Sequence, residues 1–517
     1  MAWAAAPVRG WSFGRLLAGP RRWLFTALFV ALVYFFASGG PVSIALVLGL
    51  SILSLTIALA SRRPQFAVLG IAFWMPLQVP ILAFAYKHGV PRMVVKDLGY
   101  LKEFWAISLV IAALRATRQR HIKADLLDWL AVGYVGVVTL YFILPFADPS
   151  ALGGLSLGAR LSAWRLECLY VVVFLCIRRL TFDPIVIRRL RFVVFAVAIV
   201  LAGFAFWESA SNSGFNNFLR NTLDYPGYRG QVLGNQLAGN DSGSLISTTV
   251  SGKSTYVRGG SLFNDPLVFG YFMVIPFGIA VERVASSRSA IIASVVSAGA
   301  LLGVFLSVTR GAVVAAGIIV VLALVFGISR VSRRRLRLVL TILLAGAVLL
   351  PVAGHSAVFA RMKSIIQPSA DPDTEAHVTR TSAGVKDLIH HPLGHGLGTN
   401  NTTGVLYSSA TVVNTEDSYL ETGTELGVVA MLLFLGTLLA ALAKLRERAK
   451  RPGEAAGLAG GAWLAGCGLA IGASVLQTWY ELPVTMVFWT IAGLALADTG
   501  TAELPETAGS GRWPWLQ

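Results

Sequence analysis

The chain has 517 residues, of which 55% are hydrophobic and only 13% charged, and its mean hydropathy is +0.68. That balance excludes an ordinary soluble domain, which is poorer in apolar and richer in charged residues. The net charge of +17 does not call for nucleic acid, because the excess Lys and Arg sit in short loops between apolar runs. Cys168, Cys176 and Cys467 all lie inside such runs, so no disulfide framework is implied.

Apolar runs of bilayer length recur from one end to the other. They fall near 23–38, 41–60, 64–86, 98–114, 129–146, 161–177, 192–208, 266–282, 289–309, 311–329, 337–353, 425–443, 456–478 and 484–498. The first follows Arg21 and Arg22 without a clear small-residue cleavage site and reads as a retained span. The expected fold is all-α and polytopic, with about 14 transmembrane helices. Basic residues concentrate at Arg62-Arg63, 115–123, 178–191, 330–337 and 444–451. These are alternate loops, which puts both termini in the cytoplasm.

The chain then divides into an amino-terminal bundle (1–208) and a first outer loop (209–265), rich in Asn, Gly and Ser and expected to be irregular. Central helices (266–353) and a second outer loop (354–424) follow. Carboxy-terminal helices (425–498) and a cytoplasmic tail (499–517) complete it. Within the second loop, His377 to His391 can form an amphipathic helix, with Val378, Val385, Leu388 and Ile389 on one face. Such a helix suits the outer interface.

Few cations are expected outside, so those that occur there need a reason. Arg310 stands between two apolar runs in Ser307-Val-Thr-Arg-Gly-Ala312 and faces outward, as do Arg160, Arg258, Arg361 and Arg380. Guanidiniums at a headgroup plane are suited to phosphate or pyrophosphate, whose oxygens they bind bidentately. Arg165 and Arg361 are as readily explained by lipid headgroups or loop acids. Glu416 and Asp417 precede the next span, and Asp417, Glu421 and Glu425 can share a helix face. A carboxylate beside arginines could accept a proton from a sugar hydroxyl. Asp417 suits a helix cap equally well. His390, His391 and His395 cluster, but no acid or cysteine sits at suitable local spacing, and no metal is expected. The glycines among them read as a turn where backbone comes close to something. No phosphate-binding loop, dinucleotide fingerprint or nucleophile elbow occurs in a credible setting.

Three stretches together resemble the O-antigen ligase/O-antigen polymerase (Wzy-type) family of bacterial inner-membrane enzymes. They are Arg258-Gly-Gly-Ser-Leu-Phe-Asn-Asp-Pro-Leu-Val-Phe-Gly270, the Ser307–Ala312 junction, and the segment from Arg380 through His391-Pro-Leu-Gly-His-Gly-Leu-Gly398 to Glu416-Asp-Ser-Tyr-Leu420 and Glu425-Leu-Gly427. Gly158-Ala-Arg160 is a weaker echo. The resemblance implies a GT-C-like glycosyltransferase that needs no cofactor. It would move a glycan from an undecaprenyl-pyrophosphate carrier to a hydroxyl of another glycan, with its active site facing the periplasm. Expected partners are the lipid-linked donor, the glycan acceptor and membrane lipids, with a chain-length regulator as a further candidate. In ligases of the family a histidine and an asparagine stand where Glu416 and Asp417 stand here, so the acid looks more like the polymerase branch. The implied product is O-antigen, capsule or exopolysaccharide. The expected catalytic residues are Glu416 and Arg310. Arg258, Arg310, Arg380, Arg160, Asp417, Tyr419, His391 and His395 would bind pyrophosphate or glycan. A ligase acting on lipid A core is the first alternative. A lipid-linked oligosaccharide flippase or transporter is the second, opposed by span interiors nearly free of charge and the lack of a visible internal repeat.

Overall fold

A computed structural model describes residues 57, 60–119, 123–147, 155–233, 248–251, 254–286, 291–327, 372–399 and 415–499. The architecture is helical. In chain order the longer elements begin with α1 (Gln65–Lys87), α2 (Arg92–Leu98), α3 (Leu101–Gln119), α4 (Leu126–Ala147), α5 (Leu157–Arg178) and α6 (Pro184–Ala210). Then come α7 (Pro266–Ser286), α8 (Ile291–Leu306), α9 (Arg310–Gly327) and α10 (Pro372–His390). The series closes with α11 (Ser418–Ala449), α12 (Glu454–Gly472) and α13 (Leu482–Leu496). Strand structure among the described residues is confined to two short pairs. β1 (Thr181–Phe182) lies parallel to β4 (Asp498–Thr499), and β2 (Thr248–Ser251) forms a hairpin with β3 (Ser254–Val257).

Each expected span among the described residues is met by a helix. Six are long and apolar enough to cross a membrane: α1, the Leu126–Leu144 part of α4, α6, α7, α11 and α12. Six, not fourteen, is therefore the number the described structure gives by length and composition. The expected spans 23–38 and 337–353 lie outside the described residues, as does nearly all of 41–60.

α7 and α12 form the centre, and both are lined with small residues that let backbones approach. A methyl group added at Gly278 would stand 2.8 Å from the Ala465 nitrogen, and one at Gly461 would stand 2.6 Å from the Ile279 Cα. Gly468 faces the Ala315 carbonyl of α9 in the same way, at 2.9 Å. Around this centre α8 packs on α7, α13 on α5, and α4 on α11.

The interior carries more charge than the sequence suggests. Glu167 of α5, Glu208 of α6, and Glu421 and Glu425 of α11 are all buried. Glu167 and Glu208 lie inside long apolar runs, so windowed hydropathy hides them. Hydrogen bonds settle both: Tyr134 Oη donates to Glu167 Oε2 at 2.5 Å, and the Ser261 amide donates to Glu208 Oε2 at 2.7 Å.

The segment expected as the first outer loop also differs from expectation. Residues 212–233 form successive short helical turns rather than irregular chain. The reason is a separate apolar cluster: Phe215, Leu219, Leu223, Tyr225, Tyr228 and Val232 pack with Trp74, Leu82 and Val95 of α1 and α2. Aromatic side chains at near-helical spacing supply apolar area that the Asn, Gly and Ser content obscures.

Candidate active site

The site is assembled at the end of the bundle where α5, α7, α9, α11 and α13 begin. Its foundation is the junction between α8 and α9. Ser307 Oγ accepts from the Thr309 amide at 3.2 Å, and Thr309 Oγ1 donates to the Pro266 carbonyl at 3.1 Å. Val308 between them has φ +52°. A β-branched residue in left-handed backbone is a real outlier, and such strain persists only where the surroundings impose it. The junction launches α9 directly from Arg310.

The 258–265 segment locks onto this junction. The Gly259 amide donates to the Leu306 carbonyl at 2.9 Å, and Arg258 Nη2 reaches Thr309 Oγ1 at 3.5 Å. Arg258 therefore lies beside the residue that precedes Arg310. Asp265 caps α7, accepting from the Leu267 and Val268 amides at 2.8 and 3.2 Å.

The connection from α12 to α13 joins these parts to the acidic turn. Tyr271 Oη donates to the Gly472 carbonyl at 3.2 Å, and a methyl added at Gly311 would collide with Tyr271 and touch Leu476. On the same connection the Ser418 amide donates to the Ala473 carbonyl at 2.9 Å, and Ser418 Oγ donates to the Leu476 carbonyl at 2.9 Å. The Arg310-Gly311 turn and the Thr415–Ser418 turn thus rest on one support. Glu481, at the end of that connection, has its carboxyl pushed up to about 8 by burial and by the charge of Asp265.

Glu416 is held from α10. Arg380 Nη1 contacts its Oε1, and His377 Nδ1 stands 2.5 Å from its Oε2. Arg380 and His377 are three apart on the helix, and so can grip one carboxylate. α10 is seated by Gly384, where an added methyl would strike Thr415 Cγ2 at 2.2 Å. His377 is a member of the site that sequence reasoning missed. It shares a helix face with Arg380, but its partner Glu416 lies far along the chain, so no local pattern marks it.

The glycine turn after α10 threads into a break in α11. Gly427 has φ +83° and ψ +168°, which interrupts the helix there. The freed carbonyls of Thr424 and Glu425 accept from the His395 and Gly396 amides at 2.9 and 2.8 Å. In return the Val428 amide donates to the Pro392 carbonyl at 2.9 Å, and the Gly398 amide to Glu425 Oε1 at 2.6 Å. The close backbone approach expected from the glycines is this insertion.

Other expected site residues have structural duties. Asp417 caps α11, accepting from the Tyr419 and Leu420 amides at 2.8 and 2.9 Å. Burial raises its carboxyl and those two amides oppose the rise. Tyr419 Oη donates into the bundle, to the Ala470 carbonyl at 2.7 Å. Arg160 is buried and donates to the Phe142 carbonyl at 3.2 Å, one residue from Tyr141, whose Oη bonds the Leu393 carbonyl at 2.5 Å. It supports the floor under the glycine turn and is not brought to Glu416 by any of these bonds. Arg165 pairs with Glu103 at 3.0 Å. His395 Nε2 bonds both oxygens of Asp387, at 3.0 and 2.9 Å, and the rings of His391 and His395 stand 4.7 Å apart. An acid thus does stand within local reach of the histidines, contrary to the sequence reading. Asp387 lies one helical turn before His391, so the two share a face of α10. Arg361 lies outside the described residues.

Residues 292–435 match the O-antigen ligase family (Wzy_C), and this stretch includes Arg310, His377, Arg380, Glu416 and the glycine turn. No curated protein matches the chain.

Proposed function

We propose that this chain, a multi-pass membrane protein carrying a Wzy_C O-antigen ligase domain, polymerises lipid-linked oligosaccharide repeat units into a surface polysaccharide. The reaction would occur at the periplasmic face of the bacterial inner membrane, on an undecaprenyl-pyrophosphate donor. The observation that carries this reading is the joining of two charged turns on one support. The Arg310-Gly311 turn touches Leu476, and the Ser418 amide and hydroxyl that follow Glu416 bond Ala473 and Leu476.

Arg310 and Arg258 hold the pyrophosphate and stabilise charge on it as it leaves. Glu416 receives the proton of the acceptor hydroxyl as that oxygen attacks the anomeric carbon. His377 and Arg380 fix the carboxylate, and the short His377–Glu416 contact gives the proton a second place to reside. Transfer is a single displacement with inversion, and no step here is assigned to a metal. The whole chain reconstituted with a purified lipid-linked repeat unit tests the proposal. Longer carrier-linked chains are expected from the wild type and not from Arg310→Ala. Full polymer from that variant would refute the assignment.

Two other readings have support. The matched family is described as a ligase. An imidazole also stands against Glu416, so the histidine expected in ligases has a spatial substitute here. Glycan appearing on lipid A core, rather than on the carrier, would decide for a ligase. The buried Glu167 and Glu421 suit a transporter better than the sequence alone does. Counterflow in proteoliposomes without glycosidic bond formation would decide for transport.

A further inference from the structure

We propose that Asp387, His391 and His395 form a binding site for one zinc-class divalent metal ion. Each offers one ligand atom, and these atoms all lie within 4.8 Å of one another. Around a tetrahedral ion with bonds of about 2.0–2.2 Å, neighbouring ligand atoms stand roughly 3.3 Å apart. The closest contact here, His395 Nε2 to Asp387 Oδ2 at 2.9 Å, is near that spacing. His391, the third ligand, is exposed, and its ligand atom lies within 4.8 Å of the other two.

The backbone holds the ligands in place before any ion arrives. The His391 amide donates to the Asp387 carbonyl at 2.7 Å, so the helical register carries through α10 to both residues and puts them on one face. His395 is returned to that face by the turn at Gly394 and Gly396, which have φ +72° and +109°. Its amide is fixed on the Thr424 carbonyl within the break of α11. Two imidazoles and one carboxylate favour zinc over magnesium or calcium, which prefer oxygen donors. Three protein ligands leave a fourth position for water or another donor.

The ion would pin the last turn of α10 to a turn that is itself threaded into α11. That would fix α10, and with it His377 and Arg380, against the Glu416 turn. This consequence rests on the glycosyltransferase reading; the binding does not.

The test uses the full chain in detergent, stripped with a chelator, desalted and titrated with Zn2+ alone. One equivalent should bind, and Co2+ in its place should give the visible bands of a tetrahedral site. His391→Ala and Asp387→Asn should each weaken binding more than about tenfold, the loss already typical of disturbing an outer-shell partner. His390→Ala should match the wild type, because His390 Nδ1 instead faces the Lys386 carbonyl at 2.7 Å. Zinc should raise the melting temperature of the wild type and of His390→Ala but not of His391→Ala. Uptake below one equivalent, or equal affinity or equal thermal response in His391→Ala, would overturn the site whatever the glycan assay shows. Stoichiometric zinc with no polymer formed would instead leave the site standing and count against the proposed reaction.

Discussion

The two ends of the bundle differ in how far their carboxylates rely on ion pairs. Where α4, α6, α8 and α12 begin, acids pair with bases on neighbouring helices. Asp125 meets Arg178 and Lys444 at 2.9 and 3.0 Å, Asp128 meets Arg178 and Arg179, and Glu454 meets Arg191 at 2.8 Å. At the other end Asp265, Asp417, Glu425 and Glu208 accept from backbone amides instead. Asp125 and Asp128 also accept from each other's amides, at 3.0 and 3.1 Å, so there one carboxylate both caps a helix and pairs with a base. Backbone acceptors are needed where the chain is irregular and buried amides would otherwise be orphaned. The second end is built largely to hold loops in fixed shapes, and Glu416 and Glu103, held by side chains, are exceptions there.

The largest effects should separate the ends by activity. Glu416→Gln removes the proposed proton acceptor while keeping the shape, and polymer formation should fall about 10²–10⁴-fold. Arg310→Ala should cost about 10²–10³-fold, with Arg310→Lys intermediate because the charge stays and the fork is lost. Asp128→Asn, at the paired end, should lower the melting temperature but leave turnover per folded molecule unchanged. A turnover assay normalised to folded protein checks all four. Equal losses at Asp128 and Glu416 would erase the distinction between the ends.

Next in size is the insertion of the glycine turn into α11. An added methyl at Gly394 would stand 2.6 Å from both the Glu425 oxygen and the Gly427 nitrogen. Gly394→Ala should destabilise by roughly 2 kcal/mol or more. Gly89 is the control: its φ is +84°, yet nothing lies within 4 Å of the added methyl. Gly89→Ala should show only the conformational cost, about 1 kcal/mol. Thermal melts of the two variants measure the difference, which reports the contact with α11.

Span positions were readable because a bilayer demands long apolar runs, and α1, α7 and α12 fall where hydropathy puts them. The glycine turn was readable as a close approach, because closely spaced glycines at 394, 396 and 398 have no side chains to fill the space beside them. What faces that turn was not readable, because the break in α11 at Gly427 sits in a sequence that otherwise continues as helix. His377 escaped for a similar reason. Its value depends on Glu416 arriving from beyond residues 400–414, and local periodicity carries no information about that meeting. Asp417 shows the reverse: one carboxylate before a helix looks catalytic or capping from sequence, and only its two amide partners decide between them.

The ends should also differ in their response to pH. Burial opposes ionisation of Asp125, but the Asp128 amide, Lys444 and Arg178 outweigh it and hold the carboxyl at about 2. Its folded value lies below the unfolded one, so its contribution is present above 3.8 and is lost as pH falls towards 2. Glu481 behaves oppositely. Its carboxyl rises from 4.5 to about 8, so the folded chain keeps a proton that the unfolded chain has released. Stability should fall as pH climbs through that window and level off above it. Glu481→Gln should remove that slope and raise the melting temperature at pH 8, by the equivalent of a few kcal/mol at most, since one pKa unit is worth about 1.4 kcal/mol. Asp125→Asn should instead flatten the acid side. Melting curves from pH 3 to about 9 compare the two.

The smallest expected effect probes whether the strain at the arginine junction is real. Val308 is buried, so any truncation there loses packing. Comparing Val308→Ala with Val308→Gly largely cancels that loss and isolates the backbone. In ordinary helix or strand, glycine is worse than alanine by roughly 0.5–1 kcal/mol. At φ +52° the order should invert, with Val308→Gly the more stable by about 1 kcal/mol. If alanine proves the better residue, the junction is relaxed, and Arg310 owes its position to the packing of α9 rather than to a constrained turn. If glycine is more stable yet turns over more slowly, the strain is kept for what it does to Arg310.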